Sequence, residues 1–393
     1  MGTTSAPAPT TPVVNTHVHV PPNFSAFTRA ADVIEAAVAQ GAAAIGISNF
    51  YDQQVYDQFA SLARDAGIVP LFGLEFITLD PVLEAASIKI NDPANPGRMY
   101  LCGKGINPIK PKSEVALTTA TTIRYGNDER ASAMLDQIRE HLASVGLPTS
   151  LTAAAVAATV AGRGGVPVEW VSLQERHIAR AVEEAFRALP ASERAALLEA
   201  AFGAPSAVDA DDPAALQGEI RSRLLKSGTA GFVPEVPLGF DEAYRYVLEM
   251  DGIPCYPTLA DGVTPTCPFE DPATDLAATL VARGIHAAEL IPIRNTSAVV
   301  DEYVAAFTEA GLIVMAGTEH NTPDRIPLDP FCVDGPVSDA SRQAFWEGTC
   351  VVAAHQHLTS VGEPGFVDAS GALVGDDAHR ARLIELGAQI ING

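Results

Sequence analysis

A chain of 393 residues can bury a large core, and an α/β barrel of that length can form one domain. Hydrophobic residues make up 47% and charged residues 19%, which excludes wholesale disorder. A net charge of −23 excludes a general nucleic-acid or anionic-membrane surface, so an anionic ligand must meet a local basic pocket.

Residues 1–12, "MGTTSAPAPTTP", have neither a basic n-region nor an apolar h-region and read as a flexible tail. "VVNTHVHV" reads as a strand that places His17 and His19 on one face. "RAADVIEAAVAQG" has helical spacing with a glycine stop, "AAAIGISNF" is a buried strand, "QVYDQFASLARDAG" a second helix and "IVPLFGLEF" a third strand. This β-α-β-α-β order predicts a parallel sheet with helices outside, and it gathers His17, His19, Asn49, Asp52 and Glu75 on the rim at the carboxyl ends of the strands.

Residues 90–106, "INDPANPGRMYLCGKGI", read as a glycine-, proline- and asparagine-rich loop able to cradle an anion, with Arg98 and Lys104 supplying charge. From 113 to 250 the pattern is helical and reads as an insertion between barrel halves at 13–112 and 251–393. It serves as a lid or as the contact of a homo-oligomer, and both uses stay open. Lys226, in "LLKSG" within it, and Arg294, after a later strand, could add positive charge. Alone, each of these four cations reads as a solvated surface residue; together they suggest a small anionic substrate. His141, His177 and His379 lie on amphipathic helices and are expected to face solvent.

Alternation resumes with the strand "GIPCYPTL", the helix "PATDLAATLVARG", the strand "IHAAELIPI", the helix "SAVVDEYVAAFTEAG" and the strand "LIVMAGTEH". That last strand brings Glu319 and His320 to the same rim. In "AAHQHL", His355 follows an apolar run and is a candidate acid/base or extra ligand; His357 shares its face only if the segment is extended. The closing segments read as helix. The five cysteines are scattered and never form C-x-x-C, as expected of reduced interior thiols in a cytoplasmic protein. No G-x-S-x-G elbow or G-x-G-x-x-G fingerprint occurs, and no segment is long and apolar enough for a membrane span, so the chemistry is expected to rest on metal. Glu319 and His320 at the strand end, beside His17, His19 and Glu75, would complete a mixed N/O site, whose ligands suit zinc, manganese or iron.

In order, "NTHVHV", "ISNF", "GLEF", "IPCYPTL" and "GTEHN" resemble the motifs of the PHP (polymerase and histidinol phosphatase) superfamily of metal-dependent hydrolases: D-x-H-x-H, T-D-H, G-x-E, A-H-P and G-S-D-x-H. The resemblance implies a distorted (β/α)7-type PHP barrel with a helical insertion. It departs at Asn15, at Asn49-Phe50 and at Thr258, where the family carries metal ligands. It therefore implies one firmly bound divalent ion on His17, His19, Glu75 and Glu319, with a second only if Asp52, Asp261, His320 or a late histidine substitutes. The implied activity is phosphoester hydrolysis by a metal-activated water, with His320, His355 and Asp52 as candidate catalytic groups. A single-metal lyase or isomerase, or a non-catalytic metal-binding module, is the alternative.

Overall fold

The computed structural model describes residues 11–110 and 112–393; residues 1–10 of the expected tail lie outside them. The chain begins β1 (Val13–Val18), α1 (Ala30–Ala39), β2 (Ala42–Ile47), β3 (Asn49–Phe50), α2 (Tyr56–Asp65), β4 (Val69–Leu71) and β5 (Gly73–Leu79). Apolar positions on α1 and α2, among them Val33, Ala37, Phe59 and Ala63, are fully buried against strand residues such as Val18, Ile45, Ile47 and Leu74. Each of the larger side chains among them, Val, Ile, Leu or Phe, stabilises the fold by about 1.5–3 kcal/mol.

After α3 (Pro81–Ala85), which Asp80 caps by accepting the Val82 and Leu83 N–H groups, the chain forms β6 (Arg98–Lys104). The predicted anion-cradling loop is thus in part a strand, and β6 runs antiparallel to β5 and to a later strand in a sheet expected to be parallel. Met99 and Leu101 alternate inward, and Gly103 lets Val247 approach to about 3.0 Å of where a Cβ would stand.

The insertion holds α4 (Glu114–Ser144), α5 (Ala153–Gly164), α6 (Glu175–Arg187), α7 (Ala191–Phe202) and α8 (Pro213–Ile220). These helices bury a core of their own, from Ala131 to Leu225, including Met134, Ile138, Ile178, Val182 and Phe186. The 31-residue α4 spans both bodies, since Ala116 near its start packs with the strand-helix core. β7 (Leu238–Gly239) follows, then α9 (Phe240–Glu249), whose Tyr246 and Val247 also pack with that core.

The remaining elements are β8 (Ile253–Thr258), α10 (Ala273–Ala282), β9 (Ala287–Leu290), α11 (Ser297–Glu309), β10 (Ile313–Ala316), the short β11 (Phe331–Cys332) and β12 (Gly335–Pro336), α12 (Asp339–Ser360) and α13 (Asp377–Asn392). One sheet has the order β1-β2-β4, and a larger one β10-β9-β8-β6-β5-β3 with β7 beside β5. Only Ser48 separates β2 from β3, and only Phe72 separates β4 from β5, so two strands run from the first sheet into the second. On the other side β1 meets the chain beyond β10: Val18 bridges Glu319, and His17 O accepts the Thr318 and Glu319 N–H groups at 3.1 and 2.8 Å. The result is a mixed α/β fold around a parallel-rich sheet, in which no continuous ladder closes a ring among the described residues. β1 is gripped from both sides, because a side chain at Gly46 would strike the Thr16 backbone and one at Gly317 would strike His17 Cβ.

Candidate metal centre

That grip positions two fully buried imidazoles at the carboxyl end of β1. The His17 and His19 rings lie 5.3 Å apart and are tilted by 59°. His17 Nδ1 donates to Glu289 Oε2 at 2.6 Å, and His19 Nδ1 donates to Asn23 Oδ1 at 3.1 Å. Both Nε2 atoms are buried without a hydrogen-bond partner. Glu75, 4% exposed on β5, brings Oε2 to 3.5 Å from His19 Nε2. Nitrogen and carboxylate atoms of His17, His19 and Glu75 all lie within 4.8 Å of one another.

Orphaned imidazole nitrogens are costly in a dry interior unless something accepts their lone pairs. Two of them facing a carboxylate fit a divalent transition metal. His17, Cys102 and Glu289 are equally close. Glu289, however, has no oxygen to spare: Oε1 accepts from Lys104 Nζ at 2.8 Å and Thr16 Oγ1 at 2.6 Å, and Oε2 accepts from His17.

The electrostatics follow from burial. Burial, then the neighbouring His17, hold His19 well below the ordinary histidine range, in the neutral form that ligates metal. Burial, then the charge of Glu319, push Glu75 well above the carboxylate range. Burial also opposes the charge of Glu289, but Lys104 and His17 outweigh it and bring this carboxyl down to about 2.

Glu319 stands at the same rim, outside the close trio. Its carboxylate accepts from Arg294 and from Asn321 Nδ2, the latter at 2.5 Å. Glu319 and His320 are consecutive left-handed residues, φ +57° and +55°, a conformation that side chains rarely adopt and that concentrates at functional sites.

Other expected residues are placed differently. Lys104, expected in an anion-cradling loop, is buried at the end of β6, and Nζ donates to Glu289, to Thr16 O at 2.9 Å and to Ser48 Oγ at 3.3 Å. His320 has both ring nitrogens engaged, Nδ1 with Thr318 Oγ1 at 2.8 Å and Nε2 with Ile326 O at 3.0 Å, while its ring stacks on Phe27. His355 is held within α12, away from the trio: Nε2 donates to Asp251 O at 2.7 Å, and Nδ1 accepts from Phe366 N at 2.9 Å. Asp52 is buried outside the trio, and Oδ2 has no partner; burial raises its carboxyl to about 7 against the pull of Arg124 and Lys112. Arg98 pairs with Glu235 at 3.2 Å and Lys226 with Glu175 at 2.9 Å. Asp261 accepts from Asn295 and Thr296 and braces a loop. His177, expected at the surface, is buried edge-on to Phe24.

Of the positions that depart from the resembled motifs, Asn15 and Asn49 act as braces, while Thr258 Oγ1 is buried without a partner. Asn15 Nδ2 donates to Thr318 Oγ1 at 2.6 Å and Leu328 O at 2.8 Å. Asn49 exchanges two hydrogen bonds with the Val20 backbone. Two residues at the site went unseen in the sequence. Glu289 is a lone acid in an apolar strand, the same signal that marked Glu75. Arg176, on α6, looked like any charge on a solvated helix face.

No protein-family profile and no curated protein matches the sequence. Solved structures do match in fold. A Bifidobacterium adolescentis protein, provisionally named a metal-dependent phosphoesterase, aligns at a TM-score of 0.57 and 12% identity over 87% of this chain and 98% of its own. An amidohydrolase from Chromobacterium violaceum, with bound sulfate and no metal, aligns at 0.53 and 17% identity over 84% of this chain and 96% of its own. No helix among the described residues is long and apolar enough to cross a membrane.

Proposed function

We propose that this protein is a metal-dependent phosphoesterase of the PHP type, acting in the cytoplasm on a small anionic metabolite. The observation that carries the reading is the pair of buried, unpartnered Nε2 atoms converging with Glu75 within 4.8 Å. The strands β1, β2–β3, β4–β5, β6, β8, β9 and β10, joined by the Val18–Glu319 bridge, support a distorted seven-stranded barrel. The names of the two matching proteins point to metal-dependent and amidohydrolase chemistry on this fold. Five buried, unpaired cysteines suit a reducing compartment.

His17, His19 and Glu75 would hold one zinc, manganese or iron ion. When bound, such an ion lowers the pKa of its water and polarises the scissile group. Glu289 fixes the His17 tautomer and ring plane, and Lys104 keeps Glu289 ionised. Asn15 and Asn49 are spent on backbone partners, which supports a one-ion centre. Arg294 offers positive charge at the rim.

Metal analysis of the purified protein, joined to a screen of phosphate monoesters and diesters, tests the reading. About one transition-metal ion per chain and metal-dependent phosphate release, both lost in His17→Ala, are expected. A protein that binds no transition metal refutes the centre; stoichiometric metal without ester cleavage refutes the phosphoesterase assignment.

A further inference from the structure

Arg176 sits in the first turn of α6, in the insertion, yet its charge acts on both His19 and Glu319. Among the described residues it pairs with no carboxylate, and its hydrogen bond, Nη2 to Asn321 Oδ1, is long at 3.5 Å. Burial, then the charge of Arg221, lower its guanidinium to about 10, a sign that the cation lacks compensation. A partly buried guanidinium without a counter-ion costs stability that an arriving anion restores.

The surroundings specify that anion. Asn321 links Arg176 to Glu319, whose carboxylate also accepts from Arg294. Beside Arg176, the carboxylate of Glu175 is shared by Arg221 at 2.8 Å and Lys226 at 2.9 Å. Arg176, Arg221, Lys226 and Arg294 face Glu175, Glu319 and Glu75 here, which leaves one positive charge in surplus, and Arg176 is the one without a carboxylate partner, in a chain of net charge −23. Guanidinium groups match the oxygens of a tetrahedral oxyanion.

We propose that Arg176 from the insertion and Arg294 from the rim form a binding site for a phosphate-type dianion beside the metal centre, so that the insertion completes the site. This rests on the phosphoesterase reading for where the reacting group lies, and it names the residue that selects a dianionic substrate.

The test is calorimetric titration of inorganic phosphate into the full-length, EDTA-treated protein at low ionic strength, which reads the arginine pair without the ion. Arg176→Gln and Arg294→Gln are each expected to weaken phosphate binding at least tenfold, and Arg176→Lys to weaken it less. Acetate should bind the parent at least tenfold more weakly than phosphate. Undiminished phosphate binding in Arg176→Gln, or no phosphate binding by the parent, overturns the proposal. Acetate binding as tight as phosphate overturns the dianion assignment. Metal content of Arg176→Gln should stay at the parent level; its loss would make Arg176 a support of the centre and overturn the anion role. A failure of the metal reading shows separately, as absence of bound metal in the parent.

Discussion

His17 Nδ1 lies 2.6 Å from Glu289 Oε2, and that one contact decides which nitrogen of His17 is free. With the proton held on Nδ1, the lone pair on Nε2 points where His19 Nε2 and Glu75 converge. Glu289→Gln keeps the shape but replaces a carboxylate with an amide that can present N–H to the ring. The expected result is a fall in metal affinity of about 10- to 100-fold, read by competition with a chromophoric chelator, with little change in the circular dichroism of the folded chain.

Lys104 neutralises Glu289 from the opposite side, Nζ to Oε1 at 2.8 Å, with both side chains at 2% exposure or less. Removing one partner of such a buried pair leaves the other charge uncompensated. Lys104→Met should therefore destabilise the metal-free protein by about 3–5 kcal/mol, measured as a lower urea midpoint. A loss under about 1 kcal/mol would show that His17 and Thr16 alone satisfy Glu289.

The contrast between His17 and Lys104 shows what the sequence could reveal. His17, His19 and Glu75 were legible because each follows an apolar run and ends on a rim that the β-α-β order already defines. Lys104 was read as a loop cation since its partner, Glu289, is 185 residues away. The same blindness hid β6, whose ladder with β8 joins segments on either side of the insertion. His320 and His355 looked catalytic by type, but their ring nitrogens go to Thr318 and to backbone groups that no motif records. Arg176 was illegible for a related reason: its setting depends on how the insertion folds back toward β1.

Asp52 gives the pH dependence a sign. Its carboxyl is 8% exposed and raised by burial to about 7, from an ordinary 3.8 in the unfolded chain. Below both values the group is protonated in either state and costs nothing. As pH rises between them only the unfolded chain ionises, so stability falls, and above about 7 the penalty is complete. The gap caps it at about 4 kcal/mol. Asp52→Asn should be more stable than the parent, by an amount that grows from pH 5 to pH 8 in urea unfolding. A gain independent of pH would show that Asp52 ionises normally in the folded chain.

Asn15 stands where the PHP motif has aspartate, so Asn15→Asp asks whether a further ligand can be restored by one substitution. The side chain is fully buried, Nδ2 donates to Thr318 Oγ1 and Leu328 O, and Oδ1 accepts the His17 N–H at 3.0 Å. A carboxylate keeps the last bond but turns an oxygen toward the Leu328 carbonyl, where nothing can donate. The expected cost is about 1–3 kcal/mol, seen in urea unfolding, and metal content should stay at one ion per chain. If Asn15→Asp instead raised the bound metal to two ions per chain, the Asn15 bridge to Thr318 and Leu328 would be expendable, and the one-ion centre would follow from residue 15 alone.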